Sequence, residues 1–231
     1  MITDWQAFWD GPHFIYVSRR HKDVHYRRIA EAIVALVPGP NARVLDYGSG
    51  EALHADLVAD AAGEVLLCEA AASVRTGLEQ RFAGNPKIRV IAPHEIARVP
   101  EHSLDLIVMH SVAQYLTPAG TGALFGLLRR ILKSDGLLVV SDVIQPQTAA
   151  ATDAVSLLRF GMGNKFFFAA LWGLARTLVS DYWRLRSKVG LTRYATSAMI
   201  EKLGAAGFTA ERAKINIGHN QSRTAFYARP R

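Results

Sequence analysis

The sequence has little of what would mark a secreted, membrane-spanning or metal-stapled chain. One residue of 231 is cysteine, which rules out an internal disulfide, and Cys68 lies within an apolar run where it reads as a small core residue of a reducing compartment. The opening residues, Met1-Ile2-Thr3-Asp4-Trp5-Gln6, lack the basic-then-apolar layout of a signal peptide. The longest uninterrupted apolar run, Phe166 to Ala175, is too short to span a bilayer. These absences lead to the expectation of a cytoplasmic protein, with contact at a membrane surface left open. There is no internal repeat and no low-complexity tract, and the sequence specifies no oligomeric state. His21 and His25 have the i, i+4 spacing of metal ligands on a helix, but no third ligand stands at a matching spacing, so a solvated helix face is the simpler reading and no metal is expected.

What is present suits one well-filled α/β domain: half of the residues are hydrophobic, on a chain too short for a second independent core. The formal net charge of +7 attracts anionic partners at long range. It specifies none, because the bases are scattered over Arg19-Arg20, Arg27-Arg28, Arg129-Arg130 and the Arg184 to Arg193 region, without an aromatic-glycine motif for stacking bases. Nucleic acid is therefore disfavoured.

The most informative stretch is Val44-Leu45-Asp46-Tyr47-Gly48-Ser49-Gly50, a buried strand running into a glycine turn. Gly48 and Gly50 allow a tight turn and close approach to a ligand, and a helix from about Glu51 to Asp60 would aim its N-terminus at that ligand. A second acid, Glu69, closes the next apolar run at the distance a βαβ unit needs to bring it beside the first turn and onto a ribose. A dinucleotide turn requires Gly or Ala at the sixth position, where this chain has Leu53, so the pyrophosphate fingerprint fails.

Around that turn the pattern alternates as a parallel sheet requires. Tyr26, Ile29, Ala30, Ile33 and Leu36 recur at helical spacing, and Pro38-Gly39-Pro40 stops that helix. Then come strand 43–47, helix 51–60, strand 64–69, helix 72–83, strand 87–92, strand 104–109, helix 117–132 and strand 137–143. An insertion from about 145 to 193 precedes helix 196–206, and strand candidates at 209–217 and 222–228 close the chain.

The segment with Asp46, Gly48 and Gly50 resembles motif I of the class I S-adenosylmethionine-dependent methyltransferases, with Ala52 where many members have a third glycine. The resemblance covers roughly residues 40–144 and 194–229. It implies a Rossmann-like three-layer α/β sandwich with a seven-stranded, mostly parallel sheet and an antiparallel last strand. It further implies a single domain over 1–231, with 1–40 as a helical lid and 145–193 as a helical cap insertion. S-adenosylmethionine would be the cofactor, with Asp46, Gly48 and Gly50 at the methionine portion and Glu69 at the ribose. Leu104 to Val112 resembles motif IV, whose residues after the strand line the reaction site. His110 there would orient or deprotonate a substrate, unless it merely hydrogen-bonds a neighbouring loop. His110-Ser111-Val112-Ala113 does not match the loop of the nucleobase amino-methyltransferases. The loop with His94 and Glu95 falls where the family meets the adenine, and Asp142 faces the same rim as a substrate contact or a loop acid.

The arm before the first strand holds His13, Tyr16, His21, His25 and Tyr26, and the resemblance makes Tyr16, His21 and Tyr26 lid candidates, with Tyr16 and His110 also touching the cofactor. Residues 154–186 are rich in rings and interleaved bases. They read as an apolar cap over the acceptor, as packing onto the domain, or as an amphipathic helix on an anionic membrane. Ser111, Tyr115, Phe167 and Trp172 are the candidate substrate contacts. The expected function is methyl transfer to a small, lipophilic acceptor. The alternatives are an RNA methyltransferase, or a non-catalytic cofactor-binding or membrane-surface module.

Overall fold

In the computed structural model, which describes residues 5–11, 15–177, 188 and 190–231, the chain forms a seven-stranded sheet between two helical layers. The first part runs α1 (Trp5–Asp10), α2 (Arg19–Val34), β1 (Arg43–Tyr47), α3 (Ala55–Ala61), β2 (Glu64–Cys68), α4 (Ala72–Phe82) and β3 (Ile88–Ile91). After a 3-10 turn over Pro93–Arg98 come β4 (Leu104–His110), α5 (Pro118–Ile131) and β5 (Leu132–Val143). The cap contributes α6 (Ala150–Gly163) and α7 (Phe167–Thr177), and α8 (Thr196–Ala205), β6 (Phe208–Arg212) and β7 (Thr224–Pro230) complete the sheet.

The strand order is β3-β2-β1-β4-β5-β7-β6, parallel except for β7, which pairs antiparallel with both β5 and β6. The central strands are buried on both faces, which is why they read as continuous apolar runs and not as alternation. Leu45, Leu66, Ile107 and Val140 face the layer of α5 and α8, where Phe125, Leu128, Met199 and Leu203 meet them. Val44, Val65, Val108 and Val139 face the other layer, against Ile33 of α2, Val58 of α3 and Leu78 of α4.

The architecture is the expected three-layer sandwich, with three local departures. The helix expected from Glu51 begins only at Ala55, because Ala52 adopts φ +38 and the chain turns irregularly before it. The strand expected over 209–217 stops at Arg212, and the chain then enters a loop held by Asn216, Asn220 and Gln221 side chains. Lys133 to Gly136 lies inside β5 as a bulge, with Leu104 opposite Leu132 and Leu106 opposite Leu137.

The arm and the cap pack together over one end of the sheet. Phe160, Phe166 and Ala170 of the cap form a small core with Val17 and Val24 of the arm. Gly173 makes this possible, since a Cβ there would overlap the Val17 side chain. His13, Leu178, Tyr182, Trp183, Arg184, Leu185 and Arg186 lie outside the described residues.

Candidate active site

β1 ends in a turn where Gly48 has φ +77 and Gly50 has φ +56, the left-handed region that a side chain disfavours. The turn is tied to β2: the Gly48 and Ser49 amides both donate to the Cys68 carbonyl, at 2.7 and 3.1 Å. Glu69 holds it from the other side, with Oε2 accepting from Gly50 N at 2.9 Å and Oε1 from Ala71 N at 2.8 Å. The acid expected to reach a ribose is thus also the clamp that shapes the glycine turn.

What the glycines make room for differs from the sequence expectation of clearance for a ligand. A Cβ on Gly48 would overlap Val112, and one on Gly50 would lie 2.5 Å from the Tyr26 hydroxyl. That hydroxyl accepts from Glu51 N at 2.9 Å and from Tyr16 Oη at 2.9 Å, so the arm is fastened onto the glycine turn through two tyrosines. Lys22 reinforces the seam by pairing with Glu51. Burial pushes the Tyr26 phenol up to about 12, and Tyr16 is also raised well above the usual tyrosine range by burial, so both remain neutral.

A cavity of about 680 Å³ runs from this turn to the carboxyl ends of β4 and β5. Asp46, the glycine turn and Glu69 form one end, with Pro93 at its edge. His110, Ser111 and Asp142 lie at the other, and Trp5, Trp9 and Tyr115 form an aromatic wall in which Trp5 meets Tyr115 at 4.8 Å between ring centroids. Burial, and then the neighbouring Glu69 charge, pushes the Asp46 carboxyl up to about 7.

Four of the expected site residues fall elsewhere. His94 is exposed and Glu95 binds the Ala92 amide at 2.7 Å as a cap of the 3-10 turn, so both stand outside the cavity wall while Pro93 alone of that loop lines it. Phe167 and Trp172 are also outside it; Trp172 is 73 % exposed on α7, turned away from the site. The cap reaches the cavity by another route. His21 of the arm stacks on Phe166 at 5.0 Å, and His219, from the loop before β7, stacks on Phe160 at 4.4 Å with an interplanar angle of 9°.

His219 was not singled out in the sequence, and it completes a cluster that no local spacing reveals. His25 lies 6.1 Å from His21, 6.3 Å from His110 and 6.1 Å from His219, centroid to centroid. Burial holds all four imidazoles below the usual histidine range, His21 and His219 down to about 4 and His25 well below it. Nearby imidazoles add to the lowering at His21 and His25, and Arg223 adds to it at His110 against the opposing pull of Asp142. The cluster is therefore uncharged near neutral pH. Among the described residues no group of three or more His, Cys, Asp or Glu side chains is arranged to hold a metal ion. His110 Nδ1 pairs with Ser141 Oγ at 2.9 Å, and Ser111 Oγ donates to Asp142 Oδ2 at 2.6 Å. Ser111 and Asp142, neighbours across β4 and β5, both have left-handed backbones, with φ +58 and +61. Such strain in non-glycine residues gathers at functional sites.

A family model described as a methyltransferase domain matches residues 45–140, the span from β1 to β5. A search of curated proteins finds no match. Among solved structures, the protein bound by the Trm112 methyltransferase activator of Haloferax volcanii is similar with a TM-score of 0.63 and 12 % identity, covering 100 % of this chain and 99 % of its own. The magnesium protoporphyrin IX methyltransferase of Synechocystis PCC 6803, solved with SAH, has a TM-score of 0.60 and 14 % identity, over 97 % of this chain and 92 % of its own. DhpI, also solved with SAH, has a TM-score of 0.61 and 12 % identity, over 97 % and 94 %. At these identities the likenesses bear on the fold, and they agree with the strand order found here. The methyltransferase-domain match over residues 45–140 takes in the glycine turn and the strands from β1 to β5, and the antiparallel β7 completes the sheet beside them.

Proposed function

We propose that this single-domain enzyme methylates a small acceptor held in the cavity between the glycine turn and the tips of β4 and β5, with residues 1–40 as the lid and 145–193 as the cap. The observation that carries the reading is the continuity of that cavity under a roof of α1, Tyr16 and α2, which suits a small molecule better than a polymer. In this reading Asp46 and the backbone from Gly48 to Gly50 hold the methionine portion of the donor and Glu69 holds the ribose. The residues fit that task. A carboxylate has about four acceptor sites, and the two backbone bonds to Glu69 leave capacity for ribose hydroxyls. The raised Asp46 carboxyl would ionise beside a cationic ligand.

The bound donor supplies an already activated sulfonium methyl. The protein then has to align, exclude water and, for an acceptor that carries a proton, remove it. Tyr16 and Tyr26 hold the arm shut over the turn, the Trp5, Trp9 and Tyr115 rings dry the wall, and Ser111 borders the acceptor. His110 keeps Nε2 beyond its Ser141 contact and is neutral, the state a proton acceptor needs.

The exposed face of α7 favours a peripheral membrane contact alongside this chemistry. Phe168 is 84 % exposed and Trp172 73 %, with the exposed Leu171 between them in the chain, and Arg159, Met162 and Lys165 are exposed on α6 and the turn that precedes α7. Rings and bases interleaved in this way suit the headgroup region of an anionic bilayer. Among the described residues no helix is long and apolar enough to cross a membrane.

Calorimetric titration with S-adenosylhomocysteine, followed by methyl transfer from labelled donor into fractionated small-molecule, lipid and RNA extracts, tests the proposal. Binding that weakens in Glu69→Ala, with label in a small-molecule or lipid fraction, is expected. Label confined to RNA, or no homocysteine-adduct binding, overturns it.

A further inference from the structure

Among the described residues four buried side-chain polar atoms have no hydrogen-bond partner: His25 Nδ1, Gln114 Oε1, Gln145 Nε2 and Arg223 Nη1. Three of the four, His25, Gln114 and Arg223, belong to residues that line the cavity. Folded proteins leave few such atoms, so three of them in the lining of one cavity point to a ligand that completes them. Arg223 is the most demanding. Its side chain is 10 % exposed, and it binds Asp153 of α6 in a fork, Nε to Oδ1 at 3.1 Å and Nη2 to Oδ2 at 2.8 Å. That geometry orients the guanidinium and leaves Nη1 with two donors and no acceptor. Asp153 is itself shared, because Asn220 Nδ2 donates to Oδ1 at 2.9 Å.

We infer that Arg223 is the anchor of an acceptor subsite for a carboxylate, so that the small molecule methylated here carries an anionic carboxylate beside a flat apolar body. The inference rests on the methyl-transfer reading above and deepens it. A buried guanidinium nitrogen is best satisfied by an oxyanion, since a charge-assisted bond is roughly twice as strong as a neutral one. The surrounding charges do not forbid it. Asp142, which binds the Ser111 hydroxyl, and Asp153 favour protonation of His219, and Arg28 opposes it as a second positive field. The four neutral imidazoles add hydrogen-bonding capacity without adding charge. An entering anion would favour their protonated forms, so binding should take up protons as pH falls from neutral toward about 4. The ring wall of Trp5, Trp9 and Tyr115 would receive the flat body.

The test titrates benzoate, phenyl phosphate and benzyl alcohol into the full chain saturated with S-adenosylhomocysteine. Benzoate is expected to bind at least tenfold more tightly than benzyl alcohol, with proton uptake visible as a buffer-dependent heat. Removing Arg223 alone would strand Asp153, so the informative variant is Asp153→Asn with Arg223→Gln, which replaces an ion pair by a neutral one. In it the benzoate preference should fall to within about twofold of benzyl alcohol while S-adenosylhomocysteine affinity is kept. Asp153→Asn alone should tighten benzoate, because it frees the guanidinium charge; a merely structural ion pair would give no such gain. Equal binding of benzoate and benzyl alcohol to the wild type, or a preference that survives the double variant, overturns the assignment. Preference for phenyl phosphate over benzoate also overturns it. Failure of S-adenosylhomocysteine to bind would instead strike the methyl-transfer reading, so the two failures are distinguishable.

Discussion

Gly50→Ala puts the seam between the arm and the glycine turn to a quantitative test. The residue sits at φ +56, and the added Cβ would lie 2.5 Å from Tyr26 Oη. The left-handed backbone by itself costs about 1–2 kcal/mol once a Cβ is present. The Tyr26 ring must also retreat, surrendering the bonds from Glu51 N and Tyr16 Oη, at roughly 0.5–1.5 kcal/mol each. Gly50→Ala should therefore destabilise the protein by about 2–5 kcal/mol. Tyr26→Phe loses the same two bonds without backbone strain and should cost about 1–3 kcal/mol. In the double variant the hydroxyl is already gone, so its loss cannot be counted twice. The two changes should fall short of additivity by about 1–3 kcal/mol, beyond the few tenths expected of independent sites. Urea unfolding of the four proteins, monitored by tryptophan fluorescence, measures the cycle. Strict additivity would show that Gly50 does not serve the Tyr26 contact and that the arm is fastened in another way.

Glu69→Ala removes an acceptor from Gly50 N and Ala71 N, so it should weaken S-adenosylhomocysteine binding by about 1.5–3 kcal/mol and also lower the melting temperature, both readable by calorimetry. Asp46, raised from 3.8 to about 7, stabilises the fold in its protonated form. That contribution is complete below pH 3.8 and lost as pH rises to about 7, so Asp46→Asn should gain stability relative to the parent across this window in denaturant midpoints. The histidines act with the opposite sign. His21 and His219, lowered from 6.5 to about 4, hold their contribution above pH 6.5 and lose it as pH falls to about 4, a loss that His219→Asn should reduce in acid unfolding curves. Replacing Phe168 and Trp172 with Ser should leave stability within about 0.5 kcal/mol, as for surface positions, while sedimentation with anionic vesicles falls; core-like destabilisation would contradict their exposure on α7.

Local features of the sequence were sufficient for the sheet and for the glycine turn with its clamping acid. Val44 to Gly50 and the acid at Glu69 announce a βα turn because their chemistry is short-range: apolar residues buried on both faces, glycines where φ is positive, and an acid one strand away. Residues 51–54 misled because a helical pattern says nothing about the turn that precedes it, and Ala52 takes a left-handed backbone set by the clamp of Glu69 and Tyr26. At the other end of the cavity His110, Ser111 and Asp142 were legible from the strand tips, but the residues gathered around His110 were not. His25, His110, His219 and Arg223 come from α2, β4 and the loop before β7, so no spacing in the chain links them. The aromatic insertion was legible only as composition: Phe160 and Phe166 turn inward to stack on histidines, whereas Phe168 and Trp172 face outward. Periodicity can identify which residues are apolar, but which of them meets the cavity depends on how α6 and α7 lie against the arm. That packing, decided by long-range contacts such as Val17 against Gly173, exists only in the folded chain.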